Sequence, residues 1–227
     1  RLDELRIVAD SHVGGCVDLS VGTPNDPTPE LILRAMATSQ SAGGYPPSTG
    51  SMEFRTSAAR WLERRFSVAV SPDAVAACVG TKEFIAGVSH WLRLYRPDRD
   101  TVLFPAISYP TYAMGADLAG ARHVPVAVDP HNGLDLDSIS ASDAARAICI
   151  WVNSPANPTG GLDDLGAVAK WGREHDVPVF SDECYADFTW DGPPRSILEH
   201  GIDGVVAVHS LSKRSNFAGA RVGFFAG

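Results

Sequence analysis

The chain has 227 residues, 44% hydrophobic and 20% charged, which is the balance of a folded globular domain and argues against disorder. Its formal net charge of −8 disfavours a nucleic-acid partner, and the densest basic cluster, Arg60 to Arg65, is spaced like the solvated face of a helix. No apolar run approaches the ~20 residues of a membrane-spanning helix, and Cys16, Cys78, Cys149 and Cys184 show neither zinc nor disulfide spacing; the expected setting is cytoplasmic.

The first 70 residues read as loops rich in Gly and Pro, followed by one amphipathic helix from Ser51 to Phe66 that buries Phe54, Ala58, Trp61 and Leu62. Asp26 and Glu30 are placed as caps of the first helix. Short apolar runs with the β-branched content of buried strands then follow at Val75–Val79, Thr101–Phe104, His123–Val126, Ala147–Val152, Val177–Ser181 and Val205–His209, with Arg221–Ala226 as a seventh. Because these runs are apolar throughout, they predict strands covered on both faces. Between them, Lys82–Tyr95 puts Phe84, Ile85, Val88, Trp91, Leu92 and Tyr95 on one helical stripe. Asp163–His175 does the same with Leu165, Val168, Ala169 and Gly172. Alternating strands and helices predict an α/β fold with a doubly wound, mostly parallel seven-stranded sheet. Residues 1–44 are expected to form an N-terminal arm and 45–227 the main domain. The chain stops directly after a strand-like run, so a longer protein is expected.

An open α/β sheet binds ligands at the C-terminal ends of its strands. Unusual stretches fall at four of those ends: Gly80-Thr81-Lys82-Glu83, Asn153 to Gly160, Asp182-Glu183-Cys184-Tyr185, and Ser210-Leu211-Ser212-Lys213 leading to Arg221. Singly they read as a helix cap, a turn, a solvated carboxylate and a surface lysine. Together they form a set. Backbone N–H groups at Thr81 and Lys82 with the Arg221 cation suit a phosphate. Asp182 suits a protonated pyridine nitrogen, Asn157 and Tyr185 suit a phenolic oxygen, and Lys213 supplies an amine for an aldehyde.

This set resembles the signature of the fold-type I, class I/II aminotransferases, in its order, in the Asp-x-x-Tyr pair, and in Ser-x-Ser-Lys followed eight residues later by Arg. The likeness extends from Gly22-x-Pro24 to Gly223. It implies pyridoxal 5'-phosphate as cofactor, with Lys213 forming the Schiff base and then moving protons, and Asp182 pairing with the ring nitrogen. It implies Asn157 and Tyr185 on the ring oxygen, Tyr109 stacked on one ring face and Cys184 as a small contact on the other. Thr81, Lys82 through its backbone, Ser210, Ser212 and Arg221 would hold the phosphate. Tyr45 would reach the phosphate of a neighbouring subunit, which implies a homodimer, and Gly22 and Asn157 would lie at the substrate carboxylate. Amino acids and 2-oxo acids are the implied substrates, and a C-terminal small domain with a carboxylate-binding arginine would lie beyond residue 227.

Several strings, among them Val17 to Pro24, Ser181 to Tyr185 and Ala207 to Lys213, are similar to actinobacterial succinyldiaminopimelate aminotransferases, implying glutamate as donor and a role in lysine biosynthesis. Three other readings share the cofactor residues: an aspartate or aromatic aminotransferase, a pyridoxal-phosphate lyase or decarboxylase, and the sensor domain of a transcription regulator. The histidines show no metal spacing. His209 is expected to be packed, and Trp61, Trp91 and Trp151 to be core or interface aromatics.

Overall fold

The computed structural model describes residues 2–17, 22, 24, 26–40 and 43–227. Seven strands form a single sheet in the order β1-β7-β6-β5-β4-β2-β3. They are β1 (Val75–Cys78), β2 (Thr101–Pro105), β3 (Arg122–Val126), β4 (Ala147–Asn153), β5 (Val179–Asp182), β6 (Val205–Ser210) and β7 (Gly223–Ala226). Strands β3, β2, β4, β5 and β6 run parallel to one another, whereas β7 is antiparallel to both β6 and β1. Two reversals cancel, so β1 points the same way as β6. The C-terminal ends of β1, β4, β5 and β6 therefore share one edge, as the doubly wound expectation requires.

Both faces are covered. Helices α4 (Thr81–Tyr95) and α5 (Thr111–Leu118) lie on one face, over a core of Ile85, Val102, Tyr112, Trp151, Phe180 and Val208. On the other face α3 (Met52–Phe66) and α7 (Leu165–Glu174) bury Leu62, Phe66, Leu165 and Val168 against Leu103, Ile150 and Val179. Each such side chain contributes roughly 1.5–3 kcal/mol of burial. The register between β2 and β4 slips at one point, where Thr101 pairs with Ala147 and Val102 with Cys149. This irregularity lets Ile148, Cys149 and Trp151 serve one core while Ala147, Ile150 and Val152 serve the other.

Local chemistry sets the helix ends. Ser51 accepts the Phe54 N–H at 3.2 Å and starts α3, and Asp164 accepts the Ala167 N–H at 2.9 Å and starts α7. The basic cluster from Arg60 is the solvated flank of α3, with Arg60, Arg64 and Arg65 exposed.

The structure corrects several expectations. The first 70 residues contain two further helices, α1 (Leu2–Asp10) and α2 (Glu30–Thr38), and α2 buries no residue. Neither Asp26 nor Glu30 caps α2: Pro29 occupies the cap position without a side-chain hydrogen bond, and Glu30 pairs one turn ahead with Arg34 at 2.9 Å. On α4 the buried face is Ile85, Val88 and Ser89, while Trp91 is 68% and Tyr95 86% exposed. The stripe drawn through those aromatics was too wide, because α4 packs along a narrow line. Strand β3 is largely exposed, not covered on both faces, because it is an edge strand; Pro125 fits there, having no N–H to donate. Helix α5 has no apolar period to announce it. It forms because Gly115 lets its backbone touch α4: a Cβ there would lie 2.8 Å from the Ile85 carbonyl. A short helix, α6 (Ala141–Arg146), completes the chain up to β4.

Candidate active site

A cavity of about 360 Å³ lies beside a larger one of about 610 Å³, and the larger one opens at the shared strand edge. Its floor is Asp182, the last residue of β5, only 5% exposed. Burial raises the carboxyl above its ordinary range, and hydrogen bonds from Cys184 and Tyr112 oppose that rise. The Tyr112 hydroxyl donates to Asp182 Oδ2 at 2.9 Å, and the Cys184 N–H donates to Oδ1 at 3.2 Å. Tyr112 is held by stacking on Trp151, with ring centroids 5.0 Å apart. Asn153, ending β4, donates to the Asp182 carbonyl at 2.8 Å and accepts the Asn157 N–H at 2.7 Å. The loop carrying Asn157 is thereby tied to the cavity floor.

Tyr109 and Tyr185 line the same cavity. Burial, followed by the nearby Asp182 charge, pushes the Tyr185 hydroxyl up to about 12, so it remains a hydrogen-bond donor at neutral pH. The Cys184 thiol is raised well above its usual value by burial, and its Sγ lies 3.4 Å from Thr81 Oγ1. Burial thus favours the neutral thiol over the nucleophilic thiolate.

At one end of the cavity three elements suited to an anion meet. Thr81 and Lys82 open α4, where first-turn N–H groups have no intrahelical partner. Ser210 accepts the Ser212 N–H at 3.0 Å, and the two hydroxyls lie 2.8 Å apart. Arg221 adopts a left-handed backbone (φ 55°) that turns its side chain back across Gly80. A Cβ on Gly80 would lie 2.1 Å from Arg221 Nη2, so glycine makes the space the guanidinium occupies. Gly80 itself has φ 74°, a second reason for glycine.

Lys213 lies on the short helix α8 (Leu211–Arg214), and its Nζ donates to the Gly22 carbonyl at 2.6 Å. The Thr28 hydroxyl donates to the Asn216 carbonyl at 2.7 Å, so the N-terminal segment is fastened beside α8 at a second point.

A profile of "Aminotransferase class I and II" matches residues 15–227. The chain belongs to this family. Among relatives, it is 41% identical over 229 residues to the 4-dedimethylamino-4-oxo-anhydrotetracycline transaminase of Streptomyces rimosus, covering 96% of this chain and 60% of that one. It is 35% identical over 223 residues to the LL-diaminopimelate aminotransferase of Aquifex aeolicus, covering 93% and 57% respectively. Among solved structures, a probable N-succinyldiaminopimelate aminotransferase from Thermus thermophilus superposes with a TM-score of 0.89 at 32% identity, covering 100% of this chain and 63% of that one. The chain thus spans about three-fifths of the length of the relatives it matches.

Aminotransferases of this family depend on pyridoxal phosphate. The cavity fits that group on structural grounds: a buried carboxylate at the floor, a guanidinium seated in the space that Gly80 leaves open, and a primary amine at the rim. The structure brings together Gly22, Thr81, Lys82, Tyr109, Asn157 and Asp182 with Tyr185, Ser210, Ser212, Lys213 and Arg221. It leaves Tyr45 apart, fully exposed to solvent. Of the string Val17 to Pro24, residues 18–21 and 23 lie outside the described residues.

Sequence reasoning placed Gly80 and Asn153 in the loops of the site without giving either a role, and overlooked Tyr112. Tyr112 carried a signal, since it stands three residues after Tyr109 at a helix start, on the same side of the turn. Asn153 was legible only as part of a loop. The need for glycine at position 80 depends on where Arg221 arrives, 141 residues later, which no local pattern contains.

Proposed function

We propose that the chain is the cofactor-binding part of an aminotransferase that takes the amino group of an amino acid, glutamate by preference, and delivers it to a keto or semialdehyde acceptor. The observation that carries this reading is the placement of the Lys213 amine and the buried Asp182 carboxylate on one cavity with an anion pocket at its end. Bound pyridoxal phosphate would supply an aldehyde for amines and an electron-withdrawing ring that acidifies the substrate α-proton.

The chain's own residues do the rest. Asp182, ionised, would hold the ring nitrogen in its protonated form, and Tyr112 holds Asp182. Thr81, Lys82, Ser210, Ser212 and Arg221 would bind the phosphate, and Tyr109 would cover one ring face. Asn157 and Tyr185 would donate to the ring oxygen. Lys213 Nζ would take the proton from the substrate α-carbon and deliver it two atoms along, to the carbon that brought the aldehyde. Gly22 would present its backbone to the substrate carboxylate, and Tyr45 would complete the site of a second copy in a homodimer. The segment 1–44 would then be an arm against that partner.

For the acceptor, N-succinyl-diaminopimelate formation is our preferred reading, supported by the name of the Thermus thermophilus structure, while the name of the Aquifex aeolicus relative supports a diaminopimelate-type product without the succinyl group. The Streptomyces rimosus relative shares more of the sequence and is named for a cyclic ketone, so a tetracycline-type ketone is the second acceptor to test. The test is release of 2-oxoglutarate from L-glutamate by the cofactor-loaded chain, roughly one per site without acceptor, and turnover when the right acceptor is added. Bound cofactor with no 2-oxoglutarate released would refute amino transfer while leaving the cofactor site standing.

A further inference from the structure

Directly beneath the cavity two buried ionisable side chains have no part in the chemistry above. Glu183 follows Asp182 at the end of β5, and His209 precedes Ser210 at the end of β6. Side chains alternate along a strand. Asp182 and Ser210 thus line the cavity while Glu183 and His209 face the opposite core. Glu183 Oε2 and His209 Nε2 lie 3.1 Å apart, with side chains 0% and 2% exposed. The pair meets the distance of an ion pair but not the geometry of a hydrogen bond, and neither atom has a hydrogen-bond partner among the described residues. The other carboxylate oxygen, Oε1, accepts the Ile197 N–H at 2.8 Å.

The imidazole is boxed by aromatic rings: Trp61 at 5.0 Å edge-on, Phe224 at 5.1 Å and Phe66 at 5.6 Å. The Arg214 guanidinium covers Trp61 at 4.4 Å and also pairs with Asp187, so the box ends one residue from Lys213. Such a pair is a poor source of stability, since well-packed apolar residues in its place are commonly as stable or more so. What it offers is a polar contact between the two strand ends. The last rung joining β5 to β6 is Glu183 N–H to the Val208 carbonyl at 2.9 Å, and the side-chain pair ties the two strands just beyond it.

We propose that the Glu183–His209 pair is a positioning device that clamps the ends of β5 and β6 and so fixes the spacing between Asp182 and Ser210. This rests on the roles given above to Asp182, at the ring end of the cofactor, and Ser210, at its phosphate end. Two anchors on one rigid ligand reinforce each other only when their separation matches it. Loosening the clamp should therefore weaken the joint grip while sparing each anchor alone.

The test compares Glu183→Gln, which keeps an acceptor for Ile197, with His209→Phe, which fills the aromatic box, and with the double variant. For each full 227-residue chain, Kd is measured for pyridoxal phosphate, pyridoxal and inorganic phosphate, together with Tm. Each single variant should bind pyridoxal phosphate about tenfold or more weaker, with the two partial ligands within about twofold of wild type. The double variant should regain Tm relative to His209→Phe, because no buried carboxylate is left unpaired, without regaining affinity. Should one variant fail to fold, the others still decide. Folded variants with lowered Tm and wild-type affinity would overturn the proposal, as would equal losses for pyridoxal phosphate and inorganic phosphate. A wild-type chain that binds no pyridoxal phosphate would instead sink the reading of the cavity itself.

Discussion

Replacing Tyr112 by phenylalanine removes one oxygen from a fully buried ring and leaves its stacking on Trp151 in place. The lost hydrogen bond is the one donated to Asp182 Oδ2 at 2.9 Å. A hydrogen bond to a charged acceptor is worth about 1.5–3 kcal/mol. That difference falls on whichever state has Asp182 ionised, so cofactor affinity at pH 8 should fall by up to roughly 150-fold, the full loss requiring Asp182 to be protonated before the cofactor binds. Asp182 is already raised by burial, and the Tyr112 bond works against that rise. Its removal must lift the carboxyl further. A carboxyl raised in the folded chain contributes stability that is complete below the ordinary carboxylate range and is lost as pH rises through the folded value. In the variant, protonated Asp182 therefore persists to higher pH, and the loss of cofactor affinity on acidification begins at higher pH than in wild type. Fluorescence or absorbance titration with pyridoxal phosphate across pH 6 to 9 reads both effects. Superimposable affinities and pH profiles in a folded variant would refute the assignment of Tyr112 as the support of Asp182.

Gly80→Ala should displace the Arg221 guanidinium and strain a backbone at φ 74°; we expect pyridoxal phosphate binding about tenfold weaker or worse, read by the same titration against pyridoxal as control. Gly115→Ala should cost about 1–3 kcal/mol in urea denaturation in spite of alanine's helix propensity, because the added methyl meets the Ile85 carbonyl at 2.8 Å. Asp163, raised to about 6 by burial, should make the chain less stable as pH climbs from the ordinary carboxylate range through 6. The Asp163→Asn substitution should flatten that part of the stability curve, by no more than about 3 kcal/mol, as followed by Tm against pH.

The strands were legible because a buried parallel sheet demands apolar residues on both faces, and β4, from Ala147 to Asn153, is buried at every position. Helix α7 was legible because Leu165, Val168, Ala169 and Gly172 fall on one face and all are buried. Helix α5 was not, since its position depends on Gly115 meeting the α4 backbone and not on periodicity. Trp91 and Tyr95 misled for the opposite reason: they satisfy the period of α4 but lie beyond the line where it touches the sheet. In the candidate site, most of the residues that line the cavity could be named from their loops. Tyr112 supports another residue, and Gly80 makes room for Arg221; such roles exist only once the chain has folded. The Glu183–His209 pair belongs with them. His209 could be read as a packed residue, but its partner comes from a neighbouring strand.

The most direct test of the account is the visible absorbance of the purified chain titrated with pyridoxal phosphate, beside Lys213→Ala. The account predicts a saturable visible band in the wild-type chain that is absent from the variant, although the variant still binds the cofactor through the Arg221 and Ser210 pocket. A band of equal strength in both chains, or none in a folded wild-type chain, would contradict the placement of Lys213 as the reactive amine.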